Sequence, residues 1–120
     1  MGYWGTGNLE NDYAAEDLAE RTEKMVRAML RRARRKVTRQ WDEYDHTALL
    51  VDFEILFALE AKQLLTCDLP AAEEMAKLKA SFLKDYDAYT NPDEHGPEFR
   101  KALAKTFDRF QRICAKHADD

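Results

Sequence analysis

Glycine, proline and cysteine are all scarce in this chain, and each shortage removes a class of protein. Four glycines and three prolines in 120 residues are too few for a collagenous or low-complexity chain. The two cysteines, Cys67 and Cys114, stand far apart and in no metal-like spacing, so neither a CxxC redox pair nor a zinc module is indicated. They read as free, mostly buried thiols of a reducing cytoplasm. There is no strand signal, internal repeat or low-complexity tract. The start of the chain lacks a basic region followed by an apolar run and so does not read as a secretory signal. The longest apolar segment is interrupted by Asp52, Glu54 and Glu60, which makes it a core helix rather than a membrane span.

What remains is 45% apolar and 35% charged residues, the balance of a folded helical domain long enough to bury a core without metal or disulfide. The expected fold is all-α: one domain, residues 1–120, with about four helices and an ordered Gly/aromatic N-terminal loop packed on them. The stretch Ala48–Leu65 is apolar around most of its circumference and reads as the central helix, buried on several sides. The N-terminal loop covers residues 1–11, where Tyr3, Trp4 and Leu9 supply apolar anchors. Asn11 or Asp12 caps a first helix over 12–39, whose stripe is Leu18, Met25, Val26, Met29, Leu30, Ala33 and Val37. No Gly or Pro separates it from the second helix over 45–66, so the break falls near residues 40–46. Asp68-Leu69-Pro70 opens a third helix over 69–88, because proline is tolerated in a first turn whose amides lack intrahelical partners. After the breaker loop 90–97, a fourth helix over 97–117 carries Phe99, Leu103, Phe107, Phe110, Ile113 and Cys114, and the last residues fray.

Charge is segregated. Between Arg21 and Arg39 stand nine Lys/Arg and one acid, a net +8, so with −4 overall the rest of the chain carries −12. Arg27, Arg31, Arg34, Arg35 and Arg39 are the candidate binding residues, suited to nucleic acid phosphates or an acidic protein surface. The competing expectation is a solvated face neutralised by the chain's own acids, such as Glu73, Glu74, Asp85 or Asp87.

Asp52 and Glu54 are the most pointed feature, because an ionised carboxylate in a buried helix must find partners. Helical neighbours differ by about 100°, so these two point apart and cannot form one acid/base or metal pair. The preferred expectation is a structural clasp in which Glu54, or else Asp52, accepts hydrogen bonds from the N-terminal loop and the Trp4 indole. The alternative sends one to solvent and pairs the other with an arginine. Glu16, Glu20 and Glu23, or Asp42 and Asp45, have carboxylate spacing that a metal could use, but they sit where helix ends attract acids. His46, His95 and His117 are dispersed and read as surface or capping residues. No catalytic residues, metal ligands or cofactor are assigned.

The opening Met1-Gly2-x-Trp4-Gly5-x-Gly7-x-x-x-Asn11-Asp12, followed by Ala14, Ala15 and Asp17, resembles the N-terminal signature of a bacterial family classed as a domain of unknown function. That family typically opens Met-Gly-x-Trp-Gly-x-Gly-Pro-Phe-x-Asn-Asp and continues into an all-helical domain; here Asn8 and Leu9 replace Pro-Phe. Its second helix carries a small and aliphatic run with a Glu, which Leu50–Leu59 around Glu54 resembles. The resemblance implies a bacterial, cytoplasmic, helical protein and supplies no activity. The leading functional expectation is a non-enzymatic cytoplasmic module that binds another protein, of the immunity or antitoxin type. The alternatives are nucleic-acid binding through the Arg-rich first helix and a metal-dependent all-α hydrolase.

Overall fold

The computed structural model describes residues 2, 5–34, 43–89 and 96–118. Among them are four helices and no strand: α1 (Asp12–Arg34), α2 (Glu43–Ala61), α3 (Ala72–Tyr89) and α4 (Pro97–Ala118). The all-α bundle read from the sequence is the fold.

α1 starts where its cap predicts. The Asn11 side-chain oxygen accepts from the Ala14 amide at 2.9 Å, an N-cap bond that stabilises a helix by about 1 kcal/mol. Asp12, the other capping candidate, does a different job. Its carboxylate accepts from the Gly2 amide at 2.8 Å, and its own amide donates to the Gly2 carbonyl at 2.8 Å. The chain start is thus tied to the first turn of α1. A Cβ at Gly2 would meet Asp12 Oδ1 at 3.0 Å, so the close approach favours glycine there. Residues 5–10 are exposed, Leu9 included at 40%. Leu9 therefore does not anchor the loop in the core, while Tyr3 and Trp4 lie outside the described residues.

The second helix ends at Ala61 rather than near Cys67. The Gln63 amide donates to the Glu60 carbonyl at 2.9 Å and the Leu64 amide to the Leu59 carbonyl at 2.8 Å, the paired bonds of a Schellman cap. That cap needs one left-handed residue, and Gln63 takes it with φ of 59°. With no glycine to mark it, the stop was invisible in the sequence. Replacing Gln63 by Gly relieves the Cβ strain at this φ and is expected to stabilise the fold by about 0.5–1 kcal/mol in chemical denaturation. A loss of stability would contradict the cap assignment. The third helix likewise begins at Ala72 instead of residue 69, leaving Pro70 ahead of the first turn.

Ion pairs give the helix directions. Arg100 bonds Asp87, and Lys79 bonds Asp108, so α3 and α4 run antiparallel. Phe53 meets Phe107 and Phe110 while Glu60 meets His117, so α2 and α4 run parallel. Each of α2 and α3 packs on both α1 and α4, giving a ring in the order α1, α2, α4, α3. The core is the axis of that ring, with Met29, Leu49, Phe53, Leu56, Met75, Phe82, Phe107 and Phe110 almost fully buried. α2 is therefore one wall of the bundle and is not wrapped by the others, contrary to the expectation of a central helix.

Candidate functional site

The arginines of α1 are spent largely on the protein's own carboxylates. Arg21 pairs with Asp17, Arg27 with Glu23 and Arg34 with Glu74. The first two are i,i+4 pairs within the helix, the third a loose 3.8 Å contact to α3, and all are exposed. Such pairs hold little stability each, but they cancel the field that would draw phosphates. Of the candidate binding residues, Arg31 is exposed and makes no ion pair with another described residue. Arg35 and Arg39 lie outside the described residues. Among the described residues the basic stripe is thus paired in part with the protein's own acids and leaves Arg31 exposed.

The two carboxylates of α2 separate as their angular spacing requires. Asp52 faces α1, where Arg32 donates to it at 2.6 Å with the Asp52 side chain only 14% exposed. Burial pushes the Asp52 carboxyl above its usual 3.8 although the Arg32 charge and hydrogen bond pull it down. Glu54 is exposed and bonds no other described residue. Asp52 is the engaged carboxylate and its partner is an arginine of α1, which is the alternative arrangement; the clasp to the N-terminal loop turns on Trp4, which lies outside the described residues. Arg32 falls within the basic run, but nothing in periodicity singles it out from Arg31 or Arg34.

The outward side of α2 is the unusual surface. α1 and α4 divide sharply into an apolar and a charged face, while α2 carries apolar residues on every side, interrupted by Asp52 and Glu54. Leu49, Phe53, Leu56 and Phe57 fill the core side. That leaves Val51 at 51% and Ile55 at 40% exposure, with Ala58 exposed and Leu50 half-buried beside them. With Thr47 and Glu54 these residues line one shallow groove. Residues 47, 51, 54, 55 and 58 follow helical spacing, so they make one continuous stripe. Single exposed apolar residues need no explanation, but a contiguous stripe is the kind of feature that interaction surfaces share. The sequence signal was present: a helix with apolar residues on every side, in a bundle of four, has too few neighbours to cover it.

At the far end of α2 a second cluster ties the bundle shut. Glu60 accepts from Lys116 at 3.2 Å and lies 2.6 Å from His117 Nε2. Burial works to raise the Glu60 carboxyl, but bonds from His117 and Lys116, with their charges, outweigh it and hold it below its usual 4.5. His117 is thus a half-buried tether, not a fraying surface residue. Cys67 and Cys114 are free and line one pocket beside His117. Burial raises both thiols, Cys114 to about 12, so they stay protonated near neutral pH and are poor nucleophiles. Among the described residues no group of three or more His, Cys, Asp or Glu gathers as a metal would need. No helix among them is long and apolar enough to cross a membrane. No family model, curated protein or solved structure matches this chain.

Proposed function

We propose that this chain is a non-enzymatic protein-binding module that docks through the outward face of α2. The observation that carries the reading is the stripe of Val51, Ile55 and Ala58, apolar and uncovered where the outer faces of α1 and α4 are charged. Covering it removes apolar area from water at about 25 cal/mol per Å², and its glutamate and flanking charges suit the polar rim that protein interfaces carry. The self-paired arginines weigh against nucleic acid as the partner. An immunity or antitoxin-like role is the form this reading takes when the partner is a second kind of protein.

A photo-crosslinking amino acid placed at Ile55, with a control at exposed Lys84 on α3, tests the reading in the source cell. Irradiation is expected to give a discrete adduct above the 14.0 kDa chain from position 55 and none from position 84. No adduct from position 55, or equal adducts from both, overturns it.

A further inference from the structure

We infer that the occupant of the α2 stripe is a second copy of this chain, paired antiparallel about a two-fold axis at Ala58. The inference rests on the reading of α2 as a docking face and names its partner. Its basis is where the charges fall on the stripe. Glu54 and Lys62 lie four residues to either side of Ala58, all three are exposed, and neither charge pairs with another described residue. Positions 51, 54, 55, 58 and 61 repeat at intervals of three and four, one face of α2, and Lys62 follows at the cap directly after its last residue.

A two-fold interface is self-complementary: if residue i meets residue j, then j meets i. With Ala58 on the axis, Glu54 faces Lys62 of the partner subunit, and the reverse pair forms by symmetry. Ile55 faces Ala61 of the partner subunit, a large side chain against a small one, and Ala58 meets its own copy. Small residues at the axis let the two helices approach to about 8 Å. Val51 lies against the end of the partner helix, where the methylenes of Lys62 of the partner subunit supply apolar cover. The Schellman cap sharpens this fit. The left-handed turn at Gln63 takes the chain away from the helix line, which clears the space that the opposite helix needs.

The overlap from Val51 to Lys62 is about 17 Å long at 1.5 Å per residue. An overlap of this length is short beside an interface of roughly 800 Å² per partner, which sets the test at micromolar and higher concentrations.

Sedimentation velocity from about 1 to 300 μM, the span of micromolar association, tests the proposal on the whole chain. The wild type is expected to shift reversibly from monomer to dimer. The double variant Val51→Lys/Ile55→Lys, at exposed positions that leave the fold intact by circular dichroism, stays monomeric throughout. Glu54→Lys sets lysine against lysine at both symmetry-related contacts and weakens the dimer by about tenfold or more. Glu54→Lys/Lys62→Glu restores the pair with reversed signs and recovers most of the affinity. A wild type that is monomeric at the highest concentration overturns the inference, as does a dimer untouched by the double lysine variant. A dimer weakened by Glu54→Lys and not recovered by the reversal overturns the antiparallel register. The two readings fail separately. A monomer that crosslinks from position 55 to a chain of different mass sinks self-pairing and leaves the docking face standing. A monomer with no adduct sinks both.

Discussion

Phe53→Ala is expected to cost about 3–5 kcal/mol in chemical denaturation and to lower the thermal midpoint by roughly 10–20 °C in a domain of this size. The residue is fully buried on α2. Its ring stands edge-on to Phe107 at 5.2 Å and to Phe110 at 5.5 Å, and stacks on Phe57 at 6.0 Å. Edge-to-face contacts add about 0.5–1.5 kcal/mol each beyond area. The surrounding rings belong to two helices already fixed by other contacts, so the cavity cannot close by a small shift. Phe107 also packs on Phe82 of α3 at 5.2 Å, so the void lies in an aromatic chain crossing three helices. Val51→Ala, two residues away and half-exposed, is the matched control and should stay within about 0.5 kcal/mol. A Phe53→Ala cost near that of the control would mean the parallel α2–α4 packing is wrong.

Arg32→Met should cost about 2–3 kcal/mol, whereas Asp52→Asn should be neutral or stabilising at pH 7. The asymmetry follows from exposure and from the direction of the Asp52 shift. Arg32 keeps 36% of its side-chain surface in water and Asp52 only 14%. Deleting Arg32 strands a mostly buried carboxylate; neutralising Asp52 leaves a guanidinium that water still reaches. A carboxyl raised above its unfolded pKa holds its proton more tightly in the folded chain. Its stabilising contribution is complete below the usual 3.8 and is lost as pH rises through the higher folded value, so at pH 7 ionised Asp52 is a net cost that Arg32 reduces. Asn imitates the protonated form. The Arg32→Met penalty should therefore shrink on acidification through this window, and Arg32→Met/Asp52→Leu should recover most of the loss. Equal penalties for the two single variants at pH 7 would contradict this account.

The sequence disclosed what is local and hid what is relational. The stripes of α1 and α4 were legible because charged and apolar residues alternate there with a helical period, and the cap could be narrowed to Asn11 or Asp12 because a cap acts within three residues. The end of α2 was not, since Gln63 adopts a glycine-like backbone angle without being glycine. Ring order and the parallel run of α2 beside α4 were also hidden, because periodicity says that a face is buried and not against what. His117 and Glu60, separated by 57 positions, could be joined only once that order was known. For Asp52 and Glu54 the spacing showed that they point apart. Which of them met an arginine depended on where α1 stood.

The same orientation gives Glu54 an office beyond charge balance. Without it the stripe of Val51, Ile55 and Ala58 would adhere to any apolar surface of matching shape. A carboxylate set within the stripe makes coverage conditional: an apolar surface that closes over it must desolvate an unpaired charge, at several kcal/mol. Only a surface bringing a cation to that point escapes the penalty. On the docking reading proposed for this face, Glu54 is then a discriminator that rejects most contacts the neighbouring side chains would accept.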